Sequence, residues 1–584
     1  METLENGFEV KKHTFDTIDY CVFALMLIGS AVVGIYYGFG FGRRKPLRQS
    51  EDEHLHIQTD DYLLGNKTLS PLPVALSLIS SYISAVTILG TPAEIYNYGT
   101  QYWLLFISIW VMGVVVAEVY LPVFRKLDVK SSYEYLEFRF HRYIRTFVSI
   151  LFVLDEIMFL PMLVYVPSLA FEQVTGVNLH IVSWVVTAIC VFYTFVGGIK
   201  AVVWTDTWQI FIMIISAIAI ALFGTIAIGG FEEMWHRASE GGRLIFFNTD
   251  PSLTERQTIW SVLIGGFTFW TSYNAVNQTM VQRYMSLPTL RQSKKAVIMF
   301  AIGVSFFVTT CSYTGLVIYA AYWKCDPIIS GLCKTDDQML PAFVMHFLGH
   351  IPGISGLFIA AIFGAGLSSL SVILNSTAIV LLEDILKSLC KYQLSDRTAK
   401  IFAKSVILVL GIHTVLGVYI VRNLGGVLSV ATSLNAIAAG TTFGLFSLGM
   451  LIPFANTKGA VAGGITSALF SGIISIGTQY FQSQGLVVPH TKLPVSIEGC
   501  SNSTFPIYPM YSEDEISVPI IFRLSYLWVS PIGFLTVMIV GSVVSLITRS
   551  KSDEYVNPDY LSPVIHRFIP KRMRDLGCEE DISS

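Results

Sequence analysis

Ala365, Ser368 and Ser369 stand at i, i+3 and i+4 within a long apolar run, so on a helix they share one face. Two hydroxyls and a backbone carbonyl on that face would supply three of the several oxygens that a hard cation such as sodium requires. A second polar run, Ser77, Ser80, Ser81, Tyr82, Ser84 and Thr87, precedes Gly90, Thr91 and Pro92. Serines next to helix breakers suit an interrupted helix, whose freed carbonyls would complete such a cage. The competing reading is close packing of helices through small residues.

Other polar groups stand where hydrocarbon is expected. Asp206 follows Thr205 at the inner end of an apolar run, with Gln209 three residues on. It reads either as a carboxylate on a cation's exit path or as an interfacial cap for a helix beginning near Thr207. Asp155 and Glu156 fall mid-run, where an unpaired carboxylate is costly, and the sequence names no partner for them. Tyr82 and Thr87, with Trp270, Tyr273, Asn274, Asn277 and Gln278 further on, would set hydroxyls and amides beside aromatic faces and so line a solute cavity. Helix packing is the alternative for Trp270 and Tyr273, and interfacial snorkelling is the reading for Gln282 and Arg283.

The elements that must position these residues are membrane helices. The chain has 584 residues, 53% hydrophobic and 14% charged, a composition outside the range of soluble domains. Runs of spanning length number about thirteen, near 19–40, 72–95, 101–124, 143–168, 179–197, 204–229, 258–282, 296–323, 353–382, 403–421, 425–453, 459–480 and 523–547. Together they predict one all-α polytopic domain over 19–548, with the lipid bilayer as its solvent. Arg43, Arg44, Lys45 and Arg48 follow the first run, Arg139, Arg142 and Arg145 the third, and Arg291, Lys294 and Lys295 the seventh. The positive-inside rule makes those loops cytoplasmic, which puts residues 1–18 outside and the tail 549–584, with Arg549, Lys551, Lys571 and Arg572, inside. No charged region with a small-residue cleavage site precedes the first run, which would itself act as signal anchor.

The eight cysteines form no CxxC pair and no zinc-like cluster with histidine. Cys325, Cys333 and Cys500 fall in loops expected outside, where a disulfide among them is permitted but its pairing is open. Of the sequons at Asn66, Asn277, Asn375 and Asn502, only Asn502 lies in an expected external loop. It reads either as glycosylated or as an unused sequon. A net charge of −3 with no basic patch argues against nucleic acid as a partner.

Longer stretches carry a resemblance. "SLISSYISAVTILGTPAEIYNYGTQYW", "LPVFRKLDVKSSYEYLEFRF", "YTFVGGIKAVVWTDTWQ", "NQTMVQRY", "DDQMLPAFVM", "GAGLSSLSVILNSTAIVLLED" and "PFANTKGAVAGG" resemble the sodium/solute symporters, in particular the animal multivitamin, monocarboxylate and iodide branch. The resemblance implies two inverted five-helix repeats of the LeuT-like kind, about 72–229 and 258–453, with peripheral helices near 19–40, 459–480 and 523–547. It implies a sodium site of the Ser80, Ile83 and Ala365 carbonyls and the Ser368 and Ser369 hydroxyls. Asp206 and Gln209 fall on positions linked to sodium handling, and Ser371 on one suggested for a further sodium. Where sugar carriers place a sugar-binding acid this chain has Phe106, and Thr87 replaces their polar residue in the second span. Where anion carriers commonly show an Arg, it has Asn97.

These readings converge on a plasma-membrane symporter that imports a small organic anion, a vitamin such as biotin or pantothenate or a monocarboxylate, with Na+ as coupling ion. Iodide or another solute is the alternative within the family. No cofactor and no required protein partner is expected. A channel is disfavoured because no repeated filter-like segment or run of spaced arginines occurs. An enzyme or ATP-driven pump is disfavoured because HExxH, GxSxG and Walker A sequences are missing, and His346 and His413 stand alone.

Overall fold

The computed structural model describes residues 15–38, 65–392, 394–423, 427–484, 486–487, 492–500, 518–550 and 556–568. The sequon at Asn502, the basic run 43–48 and most of both termini lie outside these residues. The described chain is helical. It comprises α1 (Thr17–Gly38), α2 (Pro71–Tyr82), α3 (Ala85–Tyr98), α4 (Thr100–Leu127), α5 (Glu134–Arg139), α6 (Arg142–Thr175), α7 (Leu179–Ala227) and α8 (Phe231–Glu240). There follow α9 (Gly266–Val276), α10 (Gln278–Met285), α11 (Leu290–Tyr322), α12 (Ile354–Val380), α13 (Asp396–Asn423), α14 (Val427–Leu451), α15 (Thr457–Ser483) and α16 (Val529–Ile547).

Local sequence explains many of the ends. Pro71 opens α2, where a missing N–H costs nothing. Gly176 ends α6 in the left-handed conformation, and the Asn178 side chain then accepts the His180 N–H at 2.9 Å to start α7. The Asn456 side chain likewise caps α15 through the Gly459 N–H at 2.9 Å.

Among the described residues ten helices are long and apolar enough to cross a bilayer, or eleven when α2 and α3, bent by 61°, count as one broken span. The thirteen runs expected from sequence map onto these helices differently at two places. The runs 179–197 and 204–229 are joined in the 49-residue α7, interrupted by Gly198 at φ 59°, ψ −155°. At 1.5 Å per residue α7 measures about 74 Å, roughly twice a hydrocarbon core, so this glycine divides a helix too long for one crossing. The run 258–282 is broken at Asn277 into a helix that passes through the π-turn Ser261–Gly265 into α9, and the eight-residue α10.

The centre of the bundle is α12. In its most apolar window 94% of residues are buried, against 22–67% for the other candidate spans. It packs on α1, α2, α6, α7 and α13. Small residues permit this: a Cβ on Gly366 would lie 2.5 Å from the Leu163 carbonyl oxygen of α6. Near one end of the bundle Cys325 and Cys500 form a disulfide. Cys333 is not part of it; it is a free, buried thiol with Sγ 3.6 Å from the Gln338 carbonyl oxygen.

Candidate functional site

Two helix interruptions lie in the bundle, the first facing α12 and the second facing α6 and α14. At the first, Ile83 (φ −84°, ψ 98°) and Ser84 (φ −87°, ψ 167°) are both extended, separating α2 from α3. The last carbonyls of a helix have no partner within it and need one from elsewhere. Here α12 provides it. Ser368 Oγ donates to the Ser80 carbonyl at 2.9 Å, and Ser369 Oγ donates to the Ser81 carbonyl at 3.1 Å. The same hydroxyls lie 3.0 and 3.1 Å from the Ala365 carbonyl. Ser80, Ala365, Ser368 and Ser369 are thus in direct contact, and Ile83, three residues after Ser80, is buried with its carbonyl turned out of the helical direction. Gly90 and Pro92 do not make the break, since Pro92 sits inside α3. Ser84 caps α3, its Oγ accepting the Thr87 N–H at 3.3 Å.

Asp206 is not an interfacial cap. It lies within α7, fully buried, and its Oδ2 accepts from Ser77 Oγ at 2.6 Å and Ser81 Oγ at 3.4 Å. Arg283 is likewise no snorkelling residue: it is 1% exposed and donates to the Ser77 carbonyl at 2.8 Å and to Ser81 Oγ at 2.7 Å. Two serines of α2 thus bridge a buried carboxylate and a buried guanidinium, an arrangement that compensates charges which would be costly alone. Ser371 Oγ donates to the Ser368 carbonyl at 3.1 Å, while the buried Asp206 Oδ1 has no hydrogen-bond partner. Gln209 turns toward α1, its Nε2 donating to Ser30 Oγ at 3.2 Å. Sequence reasoning missed Ser77, Ser81 and Arg283 as a set. Its signals were the i, i+4 spacing of the serines and an arginine in the run 278–285.

At the second interruption Asn277 (φ −66°, ψ 134°) alone separates α9 from α10 and caps the latter, Oδ1 accepting the Thr279 N–H at 2.8 Å. A cavity opens there, lined by Tyr133, Asp155, Tyr273, Asn277, Asn435 and Thr442 among others. The expected solute-lining residues divide. Tyr273 and Asn277 line this cavity, whereas Tyr82 packs on Trp270 with ring centroids 4.4 Å apart, and Thr87 lies near the first break. Asn274 folds back on the Trp270 carbonyl at 2.8 Å. Gln278 leaves the cavity altogether, holding the 130–132 loop through the Ser132 N–H at 2.7 Å and the Lys130 carbonyl at 3.0 Å. Around Asn97 two arginines from elsewhere approach, but both are engaged. Arg243 donates to the Tyr96 carbonyl at 3.1 Å, and Arg256 pairs with Glu94.

A bundle with two discontinuous helices meeting on a buried central helix, with oxygen ligands at a break, defines a transporter of the LeuT-like class. Residues 62–467 match the Sodium:solute symporter family, and the chain belongs to that family. It is 35% identical to sodium-coupled monocarboxylate transporter 1 of Xenopus laevis over 94% of this chain and 88% of that one. It is 32% identical to the sodium-dependent multivitamin transporter of Oryctolagus cuniculus, covering 96% and 87%. A substrate-bound, outward-open Na+-coupled sialic acid symporter superposes with a TM-score of 0.72 at 25% identity, over 91% of this chain and 98% of that one. A nucleobase-cation-symport-1 family transporter shares the fold at a TM-score of 0.50 and 11% identity, over 86% and 98%. The chain is therefore a multi-pass membrane protein and a sodium-coupled secondary transporter rather than an enzyme.

Proposed function

We propose that the chain imports a small organic anion, a monocarboxylate or an anionic vitamin, across the plasma membrane, driven by sodium bound at the first helix break. The observation that carries the ion site is the direct contact of the Ser368 and Ser369 hydroxyls with carbonyls freed at the end of α2. With the hydroxyls turned to present lone pairs, Ser80, Ile83, Ala365, Ser368 and Ser369 offer five neutral oxygens to a dehydrated Na+. Such an ion would tie α2 to α12 and stabilise the outward-open state, and solute binding would then favour closure and inward release. The inverted repeats are taken as about 72–229 and 258–453, each containing one broken helix, with the N-terminus outside and the tail in the cytoplasm.

Charge counting bears on stoichiometry. Moving one net positive charge inward gains about 2.3 kcal/mol per 100 mV of membrane potential, a drive that a one-to-one cycle of Na+ and monovalent anion lacks. The second ion is assigned to Ser371 and Asp206. Voltage clamp paired with isotope flux tests this: a monocarboxylate should evoke an inward current that shrinks on depolarisation. Zero charge per solute would mean one sodium and would remove Ser371 from the ligands. Uptake that ignores an imposed sodium gradient, for every anion tried, would sink the reading itself.

A further inference from the structure

We propose that Asp155 and Glu156, beside the second helix break, form a binding site for a monovalent cationic group, separate from the serine cage at the first break. Both acids lie in the middle of α6 and are buried, 7% and 4% exposed. Asp155 lines the cavity at the break. Its Oδ2 accepts from Asn435 Nδ2 at 3.3 Å, while its buried Oδ1 has no hydrogen-bond partner. Glu156, the next residue of α6, is buried close to Asn277, the residue that makes the break.

What the acids lack is a cation. Among the described residues neither forms a salt bridge, whereas the buried Asp384 pairs with Arg145 and Asp206 shares two serines with Arg283. Arg145 is held by Asp384 and by Glu137 at 2.8 Å, and Arg283 by Ser77, Ser81 and the Thr279 carbonyl. Two adjacent carboxyl groups in a low-dielectric interior are costly without a counter-charge, and protonation alone leaves Asp155 Oδ1 still unpartnered. The cavity supplies what a small cation needs next. Besides the carboxylate, Asn277, Asn435, Tyr133, Tyr273 and Thr442, all with amide or hydroxyl side chains, line the same space. That set suits an ammonium with three N–H donors as well as an alkali ion. The two sources are the ammonium of a zwitterionic solute and an inorganic cation. If the first, the solute class narrows from plain carboxylates to amino-substituted ones; this arm rests on the symport reading above.

The test compares the wild type with D155N, E156Q and the double variant at matched surface expression. Lactate and alanine share a carbon skeleton and a carboxylate and differ in hydroxyl against ammonium. If the solute's ammonium binds, alanine should compete for uptake about tenfold better than lactate, and the double variant should lose that preference. If an inorganic cation binds, neither solute is preferred, but the double variant carries one positive charge fewer per solute and its sodium activation is less steep. In parallel, the purified full-length protein in detergent should be stabilised against heat by NH4+ or Na+ to a greater degree than the double variant. A double variant that keeps solute preference, charge per solute and cation-dependent stabilisation overturns the proposal. Should the double variant fail to reach the membrane, D155N serves alone, since its amide remains able to accept from Asn435. A wild type with no sodium-driven uptake would defeat the symport reading, while the stabilisation measurement still decides the acid pair.

Discussion

The two helix breaks have the same architecture and opposite chemistry. At the first, two extended residues free the carbonyls of Ser80 and Ser81, and hydroxyls of α12 meet them. The groups in direct contact there are neutral oxygens, placed at a helix C-terminus, whose dipole favours positive charge. At the second, one extended asparagine caps the following helix itself, and the distinctive groups are carboxyls from α6. The first break has its acid one shell away, Asp206, already balanced through serines by Arg283. The second has Asp155 on the cavity at the break, with no salt bridge among the described residues. An interruption makes room and exposes backbone; the helix packed opposite decides what the room can hold.

The sharpest way to break this comparison is to unbalance the first site. Asp206→Asn should destabilise the protein by about 3–5 kcal/mol, because it leaves a buried guanidinium uncompensated. Thermal unfolding in detergent measures this, and adding Arg283→Met should restore much of the loss. Full stability of Asp206→Asn alone would show that the serines suffice for Arg283.

Next in size, Ser368→Ala with Ser369→Ala should raise the half-saturating sodium concentration roughly 10- to 100-fold, given about 1–3 kcal/mol for lost polar contacts of this kind. Sodium titration of uptake reads this directly. The same titration on Asn277→Ala should move little where the second break takes a solute's ammonium; a comparable shift there would mean that sodium uses the second break.

Asn277→Ala should instead cost about 1–2 kcal/mol of stability through loss of the α10 cap. Asn277→Ser, which can still cap, should recover most of it. The smallest effect belongs to Ser84→Ala. Its capping contact is long, 3.3 Å, and half-buried, so about 0.5–1 kcal/mol is expected, with Ser84→Gly close to neutral. A larger loss would make the first break depend on its own cap rather than on α12.

How much of this was legible in the sequence depends on the range of the interaction. The Ala365, Ser368 and Ser369 face was readable because helical period is local, and α12 carries those residues as the spacing implied. The first break was expected near Gly90 to Pro92, and it falls instead at Ile83 and Ser84, where no helix breaker stands. Local propensity did not choose the position; hydroxyls 288 residues away in the chain accommodate the freed carbonyls. Asp206 was singled out but read against a cap at Thr207, because its partner Ser77 is 129 residues distant. Arg283 was assigned to the interface for the same reason.

The sequence by itself determined that the chain is a helical membrane protein, since apolar runs of bilayer length admit few other folds. It also determined the serine face of α12 and, through extended motif likeness, the family. Only the tertiary structure decided that the Ser81 carbonyl is freed beside that of Ser80, that Cys325 joins Cys500 while Cys333 stays free, that Gly198 interrupts one long helix, and that Arg283 compensates Asp206. The physical reason is common to all four. Burial, charge balance and covalent pairing depend on which distant segments meet, and a periodic pattern of apolar residues specifies that helices will pack without specifying which polar groups they bring together.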